Sequence, residues 1–461
     1  MVNEFQLPRE LLARYDQVGP RYTSYPTAPE WSNEFGHQAA YRALADNARQ
    51  RAGVPLSIYV HLPFCSRLCY YCGCNIKLAR PGDALVERYL EALEREVALV
   101  AAGIDTTRPV VQLHWGGGTP THLSVRQLER LYKVLRQHFN FAPGAEISLE
   151  IHPRVTTAEQ INTLASLGFQ RISMGVQDFD PVVQKAVNRL QPFEATRDLI
   201  ALCQRAGFLS CNLDLMYGLP GQSVKGFART LQQVATIRPD RIALFNYAHL
   251  PAIFPHQRRL KELPGAELKL ELFEMAIAAW VNQGYCYLGM DHFALPDNEL
   301  VKARRARTLR RNFMGYTTCA ASDLLAFGMS AISDLASAYY QNERNLSAYL
   351  AAVFAGQLPV QRGKLLTADD RLRRAVIYAL ICHGYLAKAE IEHEFQLSFD
   401  TTFAPELAEL EPLVADGLLE CWPAYLEVTP RGQLLIRNIC MIFDAYLRGR
   451  SPSDRPFSRT I

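Results

Sequence analysis

The sequence predicts an α/β protein: a partial (β/α)6 TIM-like barrel, preceded by an N-terminal arm and followed by a mostly helical, winged-helix-like C-terminal domain. Three observations carry this prediction. Short apolar, β-rich runs alternate with longer helical stretches from residue 56 onward, the pattern of βα units around a parallel sheet. Polar residues recur just after those runs, at the ends of the expected strands. Beyond about residue 360 the alternation gives way to helices and one short β-like stretch. The expected divisions are 1–50 for an arm covering the site, 51–360 for the barrel and 361–461 for the C-terminal domain.

A chain of 461 residues is long enough for two or three domains, and 49% hydrophobic with 21% charged residues is ordinary globular usage. A net charge of +3 is too small to call for nucleic acid or a membrane as partner. No apolar segment reaches the roughly 18 to 20 residues that span a bilayer. The start, MVNEFQLPRELLARYD, lacks the basic region and apolar core of a secretion signal. The expectation is a cytoplasmic, monomeric protein. Eleven cysteines, an odd number, argue against a disulfide scaffold.

Residues 1–50 open with a short amphipathic pattern and then GPRYTSYPT, Gly19 to Thr27. Two prolines and several hydroxyl side chains predict an extended surface arm there rather than a helix. The other reading is that Arg21, Tyr22 and Tyr25 cover a site that binds an anion. Strands are expected at 56–62, 110–116, 146–152, 171–177, 211–218 and 241–248. Helices are expected at 83–103 and 124–139, where apolar residues recur every three and four positions. Function in parallel α/β proteins gathers at the carboxyl ends of strands. His61, Gly116 to Thr119, Glu150, His152, Gln177, Asp178, Asp214, Asn246 and His249 all fall there. For any one of them a satisfied strand-end cap is the alternative.

A further strand-like run, 285–293, precedes the basic KARRARTLRR of 302–311, read as a solvated face or, less simply, as a means of attracting a polyanion. Residues 371–386 read as a helix, 388–418 as further helices, and LLECWPAYLEVT as alternating strand before another helix. Such a winged-helix-like unit can bind DNA, but it carries no basic recognition helix and reads as a lid or support.

Cys65, Cys69, Cys72 and Cys74 lie within ten residues, directly after the first strand. The first three form C-x3-C-x2-C. Structural zinc sites pair two such knuckles, and no second follows. A cubane iron-sulfur cluster takes one thiolate per iron, so three cysteines leave one iron open to a substrate or cofactor. A zinc site completed by His61, or unrelated buried cysteines, are the alternatives. Gly116 to Gly118 free the backbone to approach a ligand. Glu150 and Asp214 are carboxylates in apolar sequence and need partners, and Arg189 could receive a carboxylate through its planar fork. Each of these three is equally compatible with a structural salt bridge.

The cysteine loop, with Tyr71 just before its last ligand, resembles the radical S-adenosylmethionine (SAM) enzymes, whose C-x3-C-x2-C motif binds a 4Fe-4S cluster with SAM on the fourth iron. Longer motifs narrow the resemblance: GPRYTSYPT, YVHLPFCSRLCYYCGCN, LHWGGGTPT, MGVQDF, AVNR, NLDLMYGLP, FNYAHLP, GMDHFALPD, GYTT and SAIS. From Gly19 to Ser458 the chain is similar to the oxygen-independent coproporphyrinogen III oxidases, or coproporphyrinogen dehydrogenases. CGCN and the GPRYTSYP arm are typical of that oxidase and absent from the related heme chaperones. A non-catalytic, heme- or tetrapyrrole-binding relative is the second reading.

The resemblance implies a barrel of radical SAM type, one 4Fe-4S cluster on Cys65, Cys69 and Cys72, and two SAM molecules. The first SAM would contact Tyr59, Gly117, Glu150 and Ile332. The second would meet Tyr71, Gly118, Thr119, Gln177, Arg189, Asp214 and Ala248. Tyr59, His61 and Cys74 would form the catalytic set, with Cys74 not a cluster ligand. The implied substrate is coproporphyrinogen III, two of whose propionates become vinyl groups in heme biosynthesis, and the implied electron donor is a flavodoxin or ferredoxin. Two positions depart from the family pattern: His152 where an Asp is usual, and Met314 where a Gln is usual.

Overall fold

The computed structural model describes Phe5 and residues 8–319, 322–451 and 457–460. The first residues of the expected amphipathic start lie outside that range. After helices α1 (Arg9–Tyr15) and α2 (His37–Gln50) comes β1 (Leu56–Leu62), which leads into the short parallel pair β2 (Phe64–Cys65) and β3 (Lys77–Leu78) around the cysteine loop. Helix α3 (Ala84–Ala101), β4 (Pro109–Gly117), α4 (Val125–His138), β5 (Asn140–Ile151), β6 (Arg171–Gln177), β7 (Ser210–Tyr217) and β8 (Arg241–Asn246) follow, with further helices before β6, β7 and β8.

The strands β1, β4, β5, β6, β7 and β8 are parallel neighbours in chain order, which makes six βα-type units side by side. Their boundaries follow from local chemistry. Asp83 caps α3 by accepting from the Leu85 amide, and Ser124 with Gln127 forms a capping box that starts α4. Buried on both sides, β1 shows almost no alternation, whereas β5 and β7 alternate buried and half-buried residues. The main core joins Ile58, Val60, Trp115, Leu149, Met174 and Leu213 of these strands to Leu93, Val97 and Leu131 of the helices.

The run expected as one strand at 285–293 is a hairpin, β9 (Cys286–Gly289) and β10 (His292–Ala294). Met290 and Asp291, both at positive φ, turn the chain between them, and β10 pairs antiparallel with β8. A second hairpin, β11 (Arg310–Asn312) and β12 (Gly315–Thr317), follows. The sequence pattern did not announce the next four strands: β13 (Asp323–Phe327), parallel to β1, then antiparallel β14 (Ile332–Leu335), β15 (Ala338–Asn342) and β16 (Val360–Leu365). They extend the sheet beyond β1, so its order runs β16-β15-β14-β13-β1-β4-β5-β6-β7-β8-β10-β9.

The C-terminal region places β17 (Tyr385–Ala387), β18 (Leu419–Cys421) and β19 (Tyr425–Val428) in a small antiparallel sheet against helices that include Ala368–His383 and Ala404–Ala415. Its core is a second apolar cluster that also takes in Leu11, Tyr15, Tyr22 and Tyr25. The extended stretch Gly19 to Thr27 is therefore not a surface arm: Tyr22 and Tyr25 are each 1% exposed. The physical reason is that the C-terminal region supplies partners for its polar groups. Tyr22 donates to Asp444 (3.0 Å), and the Ala445 amide donates to the Tyr25 hydroxyl (3.1 Å). Among the described residues no helix is long and apolar enough to cross a membrane.

Candidate active site

The cysteine loop leaves β1 and is held from three sides. Asn188 donates to the Leu68 carbonyl (2.7 Å), and the Tyr70 amide donates to the Val187 carbonyl (2.9 Å). From the short helix Pro255–Arg259, His256 donates to the Cys72 carbonyl (2.7 Å) and Gln257 to the Tyr71 carbonyl (3.1 Å). Beneath the loop, the glycine stretch after β4 lies flat on its backbone. The Gly118 amide donates to the Leu62 carbonyl (2.8 Å) and the Thr119 amide to the Phe64 carbonyl (2.9 Å). A Cβ on Gly118 would stand 2.6 Å from the Pro63 carbonyl carbon, and one on Gly117, at φ +112°, 2.5 Å from the His61 ring. No residue with a side chain allows both approaches.

At the mouth of the strands this produces one cavity of about 520 Å³. Its walls bring together Cys65, Cys69, Cys72 and Cys74, with Tyr71, Gly117, Gly118, Thr119, Glu150, Gln177, Arg189 and Asp214. Tyr59 and His61 stand beside it. His61 Nε2 is 2.9 Å from the Asn75 carbonyl, which can only accept, so Nε2 carries the proton and Nδ1 accepts from the Tyr59 hydroxyl at 3.1 Å. Burial pushes His61 down, which keeps it neutral. Besides Tyr59, two further expected contacts fall outside the cavity wall: Ala248 follows the end of β8, and Ile332 packs with Trp31, Tyr339 and Phe313.

The electrostatics suit a cationic ligand. Burial raises Asp214 to about 6, and the charge of Glu150 adds to the effect. Burial would raise Glu150 too, but the hydrogen bond and charge of His114, with the Gly117 amide at 3.1 Å, outweigh it and hold Glu150 below the usual range. Two carboxylates thus face one cavity, and among the described residues neither forms an ion pair within 4 Å with a lysine or arginine, although the charge of Arg189 is felt at Asp214. Arg189 donates to the Gly175 carbonyl and lies 3.7 Å from Cys69 Sγ. Its Nε and the Gln177 Oε1 are buried without a protein partner. Gln177 also sits at φ +68°, a backbone strain that tends to accompany function. His152 lines the same cavity, held neutral because burial and then Arg189 and Arg154 lower it to about 2.

The thiols differ among themselves. Burial raises Cys65 to about 12, while a hydrogen bond from Cys74 lowers Cys72 to about 7 and raises Cys74 in turn. Among the described residues no group of three or more His, Cys, Asp and Glu could hold a metal ion. A cubane cluster has a different requirement, one thiolate at each of several corners, and three thiols spread along one cavity wall meet it. The carboxylate pair and the unpartnered amide and guanidinium groups in turn suit the ammonium, ribose and carboxylate of SAM.

Sequence reasoning missed several contributors. His114, stacked on Tyr59 and 3.7 Å from Glu150, is visible only as one polar residue inside an apolar strand. Ser173 and Asn212, which bond Asp214 and each other, sit at alternate positions of β6 and β7 and have that period as their only signal. His256 and Gln257, nearly two hundred residues from the loop they pin, have none.

The chain matches the Radical SAM superfamily over residues 59–234 and the HemN C-terminal domain over residues 366–435. It is 47% identical over 453 residues to the oxygen-independent coproporphyrinogen III oxidase of Escherichia coli (strain K12), with 98% of each chain covered. To the enzyme of the same name from Synechocystis it is 46% identical over 98% of this chain and 97% of the other. To that of Pseudomonas aeruginosa it is 44% identical over the whole of both. The solved structure of coproporphyrinogen III oxidase (HemN) from Escherichia coli, a radical SAM enzyme, superposes with a TM-score of 0.90 at 45% identity, covering 96% of this chain and all of that one.

Proposed function

The chain belongs to the oxygen-independent coproporphyrinogen III oxidase family of radical SAM enzymes, and on that premise we propose how its residues divide the work. The enzyme converts two propionates of coproporphyrinogen III to vinyl groups by oxidative decarboxylation, giving protoporphyrinogen IX, with a 4Fe-4S cluster and SAM as cofactors. When bound, the cluster and SAM would supply radical chemistry, with one electron entering from an external donor and one leaving to an external acceptor for each propionate that loses a hydrogen and CO2.

Cys65, Cys69 and Cys72 would hold the cluster through their thiolates. Glu150, with Tyr59 and Gly117, would orient one SAM beside it. A second SAM would lie against Tyr71, Gly118, Thr119, Gln177, Arg189 and Asp214. The observation that carries this division is that two carboxylates and two unpartnered buried donors or acceptors open on one cavity with the thiols. That is more polar capacity than a single ligand ammonium and carboxylate would use. Tyr59, His61 and Asn75 form a fixed hydrogen-bonded line from β1 to the end of the cysteine loop, which sets the loop's height over the glycines. Cys74, two residues from Cys72 and donating its amide to the Cys72 sulfur (3.4 Å), keeps its thiol protonated on the cavity wall, where it can serve as a hydrogen-bond donor.

Met314 and His152 stand where amide and carboxylate groups are usual, and both face the cavities of the barrel. A thioether offers no hydrogen-bond donor, and a neutral imidazole offers one donor and one acceptor, so the site keeps its shape with fewer fixed charges. A single-electron donor such as a flavodoxin or ferredoxin suits a cluster that is reduced one electron at a time. We place the enzyme in the cytoplasm as a monomer, where reducing conditions keep its eleven thiols open. The test is anaerobic reconstitution with iron and sulfide, then incubation with coproporphyrinogen III, SAM, a low-potential reductant and an electron acceptor, followed by analysis of both products. Formation of protoporphyrinogen with one 5′-deoxyadenosine per propionate supports the reading. SAM cleavage with no vinyl product would favour the tetrapyrrole-binding alternative.

A further inference from the structure

A second cavity, of about 570 Å³, lies between the barrel and the C-terminal region and shares no lining residue with the cluster cavity. The β11–β12 hairpin forms part of its wall, and Thr317 lines both it and the barrel interior. Six arginines line it against four carboxylates, Asp323, Asp334, Glu390 and Glu394. Two of the carboxylates are already matched: Asp323 by Arg51 and Arg108, and Asp334 by Arg374 at 3.7 Å. Arg371 donates to the Leu366 carbonyl (3.3 Å).

Among the described residues three cations of the KARRARTLRR stretch, Arg307, Arg310 and Arg311, form no ion pair within 4 Å, although Arg311 lies over the Tyr316 ring (5.1 Å) and its charge reaches Asp291. Arg311 is 7% exposed, yet its Nε and Nη1 have no hydrogen-bond partner. Arg310 reaches His383 Nε2 at 3.4 Å, but that nitrogen already donates to the Leu309 carbonyl (2.9 Å) and has no lone pair to offer. Arg307 lies over the Tyr385 ring, 3.5 Å from its centroid. A buried guanidinium without an acceptor is costly, and an anion in the cavity removes that cost. The wall also has an apolar part, made by Tyr378, Leu386, Ile391 and Phe395. A small inorganic anion would leave that part dry and unused.

We propose that this cavity binds an amphipathic polycarboxylate, an apolar body carrying at least two carboxylates, with Arg310 and Arg311 as the carboxylate-binding pair. The enzyme's own substrate and product belong to this class, and to that extent the inference rests on the proposed function. The cavity is then a second tetrapyrrole site, distinct from the one where chemistry occurs.

The experiment titrates the anaerobic holoenzyme with coproporphyrin III, the stable oxidised macrocycle, by fluorescence and equilibrium dialysis. Wild type binds two equivalents. Arg311→Met and Arg310→Gln each keep one equivalent and weaken the other by about tenfold or more in affinity, as the loss of one arginine's charge-assisted contact would require. Arg307→Gln, at an exposed position, weakens the second equivalent more mildly and serves if Arg311→Met fails to fold. Tripolyphosphate, charged but without an apolar body, competes poorly for this site; competition at equal affinity overturns the amphipathic assignment. A single equivalent unaffected by the arginine variants, or none, in an enzyme that still turns over coproporphyrinogen overturns the inference and leaves the function standing. Loss of turnover in wild type would instead count against the functional reading.

Discussion

Asp214 shows how a single residue ties the structure to a measurable ligand response. With burial and Glu150 together raising it to about 6, it is largely protonated below that pH in the free enzyme. A cationic or hydroxyl-donating ligand favours the ionised form, so binding in acid must first expel the proton. SAM affinity is expected to fall as pH drops through about 6, by up to roughly tenfold per unit. Asp214→Asn should bind SAM more weakly at pH 8 and show a flatter pH profile, measured by equilibrium dialysis on the anaerobic protein. A profile unchanged by the substitution would separate Asp214 from the ligand. Gly117→Ala makes the second residue-scale prediction. Its Cβ would meet the His61 ring at 2.5 Å from a φ of +112°, so strain of about 1–3 kcal/mol is expected at the glycine turn. SAM cleavage should drop strongly while the thermal midpoint falls only a few degrees.

Among elements, α3 shows a support that reaches the site from behind the sheet. Tyr89 donates to the His61 carbonyl (2.8 Å) and accepts from the Met329 amide (3.0 Å). One turn pair further on, Glu96 accepts from Tyr349 (2.6 Å), the Gly328 amide (2.8 Å) and Asn342 (2.5 Å). Together they fasten the turn after β13 to the end of β1. Tyr89→Phe keeps the ring packing against Phe64 but removes both bonds. It is expected to cost about 1–3 kcal/mol of stability, read by denaturant unfolding, because a carbonyl and an amide lose a buried partner. Much at this scale was legible in advance. The six parallel strands follow from short apolar, β-rich runs and both long helices from apolar residues recurring every three and four positions, and the strand between 171 and 177 matches residue for residue. The strands β13 to β16 were not legible, because DLLAF is apolar without alternation and AYYQN is buried throughout, so neither has a period to read. At the site, closely spaced ligands and glycines were visible in the chain. Partners such as His114 and His256 were not, since their meaning depends on contacts between distant segments.

At the scale of the whole molecule, the C-terminal region works as the clamp of the N-terminal stretch rather than as a separate module. Arg437, 6% exposed, donates to the carbonyls of Gly19, Pro20 (2.9 Å), Ser458 (3.3 Å) and Arg459 (2.9 Å). The stretch it holds carries Arg21, which lies 3.5 Å from the Asn246 carbonyl at the end of β8 and 3.7 Å from Asp291. Arg437→Met leaves four carbonyls short of a donor. It should free residues 17–27 first, visible as faster amide exchange and earlier proteolytic cleavage there, while the cluster loop keeps its protection. The central claim is the assignment of the cysteines. It is tested most directly by iron content and the electron paramagnetic resonance spectrum of the reduced protein, with and without SAM, in four variants. Cys65→Ala, Cys69→Ala and Cys72→Ala should each lose the cluster. Cys74→Ala should keep about four irons per chain and a spectrum that shifts when SAM is added, as an open iron requires. Loss of the cluster in Cys74→Ala, or its full retention in any of the other three, would contradict the account.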